Sequence, residues 1–454
     1  MTQQFKDQGG AASSNPSRLI RWIGSKLATR LANLVSQQQK RHKAEKRRQK
    51  RGRPHRVEFY YQVDDAYSHL AAQTLIPLLQ SYEIELVPYL AGPPSGANAP
   101  EPELLLDYSL RDSLAVAPHY SLSFPPAAQL PKTDQLNLAS AILAALTPSD
   151  FPQAVVEVGD ALWSGNDAEL EALAQRLGQA EPASAKAAVD KGTQRRHELK
   201  HYSGAMFYYE GEWYWGVDRL YHLENRLIEL GLGKNGVAER VMPRPDIDFG
   251  ENKDDGSLTL EFYPSLRSPY TSIIFDRTIQ LVRDSGVKLV MRPVIPMVMR
   301  GVSVSMQKGF YIFGDAAREA RTLGLDWGDY YDPIGDPVRR AFSLYPWARE
   351  QGKEIEFISA FLKAAFFDAV NTNKDTGLKQ VVENSGLSWA EALKIVDNED
   401  WEAELEENRL AMLGLGIWGV PSYRLFDQNG QEVLSAWGQD RVWLVAREIK
   451  RLLG

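Results

Sequence analysis

Ser268-Pro269 is a place in this chain where residue types and their order could do chemistry. Serine followed by proline reads as the N-cap and first residue of a helix, because the serine oxygen takes a free backbone N–H and proline has none to lose. The same spot offers a hydroxyl and free N–H groups at the positive end of the helix dipole, where a bound thiolate is stabilised. A plain helix start is the other reading. Val420-Pro421 by itself reads as a turn proline. Gln439 and Asp440 follow Gly438 at a second helix start. The helix N-terminus suits a carboxylate and the aspartate suits an ammonium, or Asp440 is only a cap. Lys308 is either the counter-charge of a ligand carboxylate or a solvated surface lysine.

The 454 residues contain no cysteine, which excludes a disulfide framework, a protein thiolate nucleophile and a zinc-thiolate cluster. Any thiolate at Ser268 therefore belongs to a ligand. Hydrophobic residues at 44% and charged ones at 24% are ordinary for a globular protein, and the net charge of -7 argues against nucleic acid as a partner. No apolar run approaches the roughly 20 residues that span a bilayer, and nothing resembles a signal peptide, so a cytoplasmic location is expected.

The elements that position these residues occur twice. Glu58-Phe59-Tyr60 with Tyr67 returns as Glu261-Phe262-Tyr263 with Tyr270, and Trp215-Gly216-Val217-Asp218-Arg219 returns as Trp437-Gly438-Gln439-Asp440-Arg441. Val57 to Tyr61 and Leu258 to Tyr263 read as buried strands, each followed by a helix and then a second, parallel strand at Glu85 to Tyr89 and Lys288 to Pro293. Helical spacing fills Leu104 to Lys200 and Phe310 to Leu415. A hairpin and a last helix close each copy: Met206 to Tyr209, Trp213 onward and Arg219 to Leu230 in the first; Ser422 to Phe426, the turn Asp427-Gln428-Asn429-Gly430, Glu432 to Trp437 and Arg441 to Leu453 in the second. The acidic, Pro- and Gly-bearing stretch 240–257 reads as a linker.

Ahead of both copies, residues 1–54 read as a separate, partly disordered basic segment. Leu19, Ile20, Trp22, Ile23, Leu27, Leu31, Leu34 and Val35 recur at helical spacing among Arg18, Arg21, Lys26 and Arg30, and a charge run continues to Arg53. Such a helix docks on the body of the protein or lies on an anionic membrane through residues 18–53, at the inner face.

A β-α-β unit, a helical insertion and a β-β-α unit make a thioredoxin fold, and the whole chain is expected as α/β, two tandem DsbA-like thioredoxin domains at 55–239 and 258–454, each with an inserted helical subdomain. Residues 258–454 resemble the DsbA-like branch of that superfamily, closest to the 2-hydroxychromene-2-carboxylate isomerases and kappa-class glutathione transferases. Phe262-Tyr263, Ser268-Pro269-Tyr270, Arg292-Pro293, Lys308-Gly309, Gly419-Val420-Pro421 and Trp437-Gly438-Gln439-Asp440-Arg441 carry the resemblance. It implies glutathione as cofactor, with Ser268 as the catalytic residue hydrogen-bonding its sulfur. It further implies a cis Val420-Pro421 bond, Val420 and Pro421 against the cysteinyl backbone, Gln439 and Asp440 at the γ-glutamyl end, and Lys308 on the glycine carboxylate. A small electrophilic substrate, aromatic or unsaturated, would be isomerised or conjugated. The alternative is a non-catalytic thioredoxin-fold protein holding peptides or partners.

The first copy reads as degenerate. Asp65 replaces the serine and Met206 the proline, so a carboxylate would repel a thiolate there, and the two copies are expected to pack together. Asp64 and Asp65 are adjacent on a turn and point apart, with no histidine or ligand cluster beside them to make an acid-base pair.

Overall fold

A computed structural model describes residues 15–454 except 237, 238 and 303. The earliest part of the segment expected to be partly disordered, residues 1–14, lies outside the described residues. Two compact units divide the chain: Gln38–Pro245, and the described residues up to Gln37 together with Asp246–Gly454. The N-terminal segment expected as a unit of its own therefore splits between them. Its two helices are α1, Arg18–Ala32, and α2, Leu34–Lys50, the latter taking up the basic run.

In Gln38–Pro245, β1 (Arg56–Tyr61) leads through α3 (Ala66–Ala72) and α4 (Leu75–Ser81) to β2 (Glu85–Leu90). Helices α5 (Pro102–Val116), α6 (Thr133–Ala145), α7 (Phe151–Trp163), α8 (Asp167–Leu177) and α9 (Pro182–Glu198) are then inserted before β3 (Met206–Tyr209), β4 (Glu212–Trp215) and α10 (Leu220–Glu229). The sheet order is β2-β1-β3-β4, with the first pair parallel and the others antiparallel. Five of the six β1 residues are buried, because the sheet is covered on both faces. Buried Glu58 is neutralised by Arg195 at 2.7 Å and accepts the Tyr60 hydroxyl at 2.5 Å.

The second unit runs β5 (Thr259–Tyr263), α11 (Pro269–Ser285), β6 (Lys288–Met291), then the inserted α12 (Met306–Thr322), α13 (Asp336–Glu350), α14 (Glu354–Phe366), α15 (Asp375–Asn384), α16 (Trp389–Ala392) and α17 (Glu402–Gly414). It closes with β7 (Ser422–Phe426), β8 (Glu432–Trp437) and α18 (Val442–Leu453), in the sheet order β6-β5-β7-β8. The pairing again is one parallel and two antiparallel contacts. Phe262 and Tyr423, side by side on β5 and β7, stack at 5.2 Å in the core. Tyr270 on α11 donates to Asp315 on α12 at 2.8 Å, and Tyr67 on α3 makes the same bond to Asp112 on α5. Each bond ties the first helix of the unit to the first helix of its insert.

Two stretches behave differently from their composition. The supposed linker belongs to the second unit from Asp246 on: Ile247 and Phe249 pack on the core, and Asp248 pairs with Lys450 of α18 at 2.7 Å. Helix α1 docks on the same unit, but by its polar stripe. Arg21 donates to the carbonyls of Asp332 and Ile334 at 2.7 and 2.6 Å, Ser25 accepts the Asp332 N–H at 2.9 Å, and Thr29 accepts the Tyr330 N–H at 3.2 Å. One helix face at four-residue spacing thus satisfies the irregular backbone of 330–334, which has no ladder of its own. Ala32 completes the contact against Gly328, whose φ of +123° favours glycine and where an added Cβ would sit 2.6 Å from that of Ala32. Leu19 and Ile20 are 65% and 63% exposed, whereas Arg21 and Ser25 are 3% and 2%. Among the described residues no helix is long and apolar enough to cross a membrane.

This inversion sets the order of mutational costs. Arg21→Ala leaves two carbonyls without their charged donor and should cost about 2 kcal/mol in urea unfolding of the second unit, while Leu27→Ser, on the exposed face, should cost under about 0.5 kcal/mol. The reverse ranking would show that the apolar face carries the docking.

Candidate functional site at the start of helix α11

The turn between β5 and α11 is built around Ser268. Its backbone is extended, and its hydroxyl caps α11 by accepting the Thr271 N–H at 3.1 Å, with Pro269 first in the helix. The same hydroxyl lies 3.4 Å from the Val420 carbonyl, a long donor contact, and Ser268 is 9% exposed. The Val420-Pro421 peptide bond is cis. Ser422 donates to the Gly419 carbonyl at 2.7 Å, and the Gly438 N–H donates to the Pro421 carbonyl at 2.9 Å, so the proline loop is bound at both sides. Gly419 has no room for a side chain, because a Cβ would lie 2.3 Å from the Trp437 ring, itself packed on Trp418 at 4.6 Å.

Gly438 leads directly into Gln439 and Asp440, so Ser268, Val420, Pro421 and Asp440 are strung along one linked edge. Asp440 is partly exposed, with Arg441 3.9 Å away. Gln439 is turned the other way: it is 2% exposed, and its amide donates to Glu319 on α12 at 2.9 Å. Its side chain fastens the last helix start to the insert, and what it offers a ligand is backbone. Lys308 sits in the first turn of α12, its N–H on the Ser305 hydroxyl at 3.1 Å, and burial pushes its pKa down to about 8. It stands seven residues from Asp315, the partner of Tyr270, or about 10 Å along the helix.

Further residues surround this edge. Arg267, next to Ser268, makes a two-pronged pair with Asp332 at 2.7 and 2.9 Å. Burial works against both charges, yet their mutual attraction and hydrogen bonds outweigh it, so that Arg267 is held above and Asp332 below the usual range. Ser265 Oγ, Thr271 Oγ1 and Gln439 Oε1 are buried without a hydrogen-bond partner among the described residues. Ser265 is only a polar letter in a turn, and Arg267 opens the run Arg267-Ser268-Pro269-Tyr270, which the first copy lacks, without a role that spacing assigns. Asp332 lies too far along the sequence for spacing to pair it with Arg267.

The corresponding turn of the first unit is closed by its own side chains. Asp65 caps α3, accepting the Ser68 N–H at 3.1 Å and the Ser68 hydroxyl at 2.8 Å. Ser68 Oγ in turn accepts the N–H groups of Gln62 and Ala205 at 3.1 and 2.8 Å. The residue in the proline's place is Ala205 rather than Met206, since the Gly216 N–H donates to the Ala205 carbonyl at 2.7 Å as Gly438 does to Pro421. Strand pairing matches Met206 with Trp215 and Ser422 with Trp437, which fixes the same register. Asp218, which follows Gly216 as Asp440 follows Gly438, accepts the Tyr120 hydroxyl at 2.9 Å.

Against known proteins, residues 259–450 match the model of the DSBA-like thioredoxin domain. No curated protein matches the chain. Among solved structures, it is similar to a probable DsbA oxidoreductase of Streptomyces coelicolor (19% identity, TM-score 0.35, covering 43% of this chain and 89% of that one). It is also similar to a 2-hydroxychromene-2-carboxylate isomerase (17%, 0.36, 43% and 95%) and to the cytosolic disulfide reductase DsbM of Pseudomonas aeruginosa (17%, 0.33, 43% and 100%). By the family model and its mixed sheet, the C-terminal half, residues 259–450, is a mixed α/β, DsbA-like thioredoxin domain.

Asp65 provides a pH test of the closed turn. Burial is the largest influence on its carboxyl and raises its pKa to about 7, so the folded unit holds a proton that the unfolded chain has released. Its contribution to stability is fully present below the ordinary aspartate value and is lost as pH rises through about 7. Asp65→Asn keeps a capping oxygen, and its melting temperature relative to the natural protein should climb between about pH 4 and pH 7 and then level off. A difference that does not vary with pH would mean that Asp65 is charged throughout.

Proposed function

We propose that the protein is a glutathione-dependent isomerase or transferase, acting on a small electrophile through the thiolate of glutathione bound at Ser268. The observation that carries this reading is the Ser268 hydroxyl at the N-terminus of α11 facing the Val420 carbonyl of a cis-proline loop, in a chain without cysteine. A thiolate there would meet the hydroxyl and the positive end of a 17-residue helix. The cysteinyl backbone would pair with Val420 as a short strand, and Asp440 would take the γ-glutamyl ammonium. Lys308, its pKa lowered by burial, would be the partner of the far carboxylate.

In this account the residues divide the work. Ser268 stabilises the sulfur anion, which attacks the electrophilic carbon; Pro421 and Gly419 hold the binding edge in shape; Arg267 fixes the turn through Asp332. The unit Gln38–Pro245 is, on the same reading, a diverged copy of the thioredoxin fold without a thiol site, its turn filled by Asp65 and Ser68. Kinship with the chromene-carboxylate isomerases and kappa-class transferases, and a place in the cytoplasm, belong to this proposal.

One observation favours a second reading. The Ser268 hydroxyl is already engaged by Thr271 and Val420, as a cap and a loop tie, and a protein that only holds peptides at the Val420 edge needs no more from it.

Isothermal titration with glutathione separates the two. One site per chain is expected, and Ser268→Ala should raise the pKa of the bound thiol by about one to two units, followed by thiolate ultraviolet absorbance. No binding at millimolar glutathione removes the enzyme reading, and an unchanged thiol titration in the variant reduces Ser268 to a helix cap.

A further inference from the structure

The apolar face of α1 is turned away from the protein that holds it. Leu19, Ile20, Ile23 and Leu27 are each 45% exposed or more, and at about 100° per residue they gather on the side opposite the docked Arg21, Ser25, Ala28 and Ala32. Trp22 is 51% exposed beside them. An amphipathic helix in a globular protein ordinarily does the reverse. Here the polar stripe is committed to the backbone of 330–334, and Arg321 on α12 adds a bond to the Ala32 carbonyl at 2.9 Å, so the helix is fixed with its apolar side presented.

Charge identifies what that side would meet. Exposed Arg18, Lys26 and Arg30 lie on α1 alongside the apolar residues, and exposed Lys40, Lys43, Lys46, Arg47 and Lys50 follow on α2. Residues 18–53 hold thirteen lysines and arginines and one glutamate, in a chain whose net charge is -7. We propose that α1 is a peripheral membrane-binding face for anionic phospholipid, with Leu19, Ile20, Ile23 and Leu27 entering the headgroup and upper acyl region, Trp22 at the interface, and Arg18, Lys26 and Arg30 on lipid phosphates and carboxylates. A second copy of the chain fits poorly, since a two-fold contact through this face would bring Lys26 and Arg30 against their own equivalents.

The full-length protein tests this in sedimentation with vesicles of phosphatidylcholine alone and of phosphatidylcholine with phosphatidylserine. Binding to the anionic vesicles is expected, falling with added sodium chloride, and the triple variant Ile20→Ser, Ile23→Ser, Leu27→Ser should bind about tenfold or more weakly at an unchanged melting temperature. An unmoved melting temperature matters, because the three side chains are exposed and the docking stripe is intact. Protein left in the supernatant with anionic vesicles overturns the proposal, as does equal binding to neutral vesicles or equal binding by the variant. If size-exclusion shows that the natural chain is an oligomer which the triple variant dissociates, without vesicle binding, the face is a protein contact and the lipid assignment falls.

Discussion

Asp332 is the point on which the second unit's candidate site depends. Its carboxylate holds Arg267, the residue before Ser268; its N–H is taken by Ser25 of α1; its carbonyl is taken by Arg21. Three separate parts of the chain, the turn of the candidate site, the helical insert and the N-terminal helix, meet at one residue. A partly buried carboxylate tolerates this only because the guanidinium of Arg267 is in place, and the partly buried Arg267 needs its counter-charge in return. The turn that presents Ser268 is therefore braced from the insert, and loosening either side releases both.

The sheet framework was legible because it is written in local signals. Short β-branched and aromatic runs, a tyrosine nine residues past each glutamate, and a turn of Asp427-Gln428-Asn429-Gly430 place strands and hairpins to within a residue or two. Each half closes with a hairpin, and Ala205, not Met206, stands where Pro421 does in the other, since an unaligned pair of motifs does not reveal strand register while the bonds to Gly216 and Gly438 do. The facing of α1 was illegible. Periodicity shows that a helix has an apolar side, but which side docks depends on the partner surface, here bare loop backbone that calls for donors and acceptors. The same holds for 246–257, whose acids and glycines read as a tether while Ile247 and Phe249 anchor it.

At the site, sequence reading supplied the edge and missed the supports. Ser268, Val420, Pro421 and Asp440 fall along one run of bonded backbone. Gln439, expected at the ligand, spends its amide on Glu319. The contrast with the first unit shows how little chemistry separates a presented hydroxyl from a closed turn. With Asp65 and Ser68 in the turn, one hydroxyl bridges the Asp65 carboxyl group and two backbone N–H groups, so these groups are spent on one another. With Ser268 in that position, the helix start faces the Val420 edge.

The central claim, that Ser268 faces the sulfur of a bound tripeptide, is tested most directly by a crystal structure of the protein with glutathione. The account predicts one molecule per chain, its sulfur within hydrogen-bond distance of Ser268 Oγ and its cysteinyl backbone paired with Val420. Glutathione elsewhere on the chain, or at the Val420 edge with its sulfur turned away from Ser268, would contradict it.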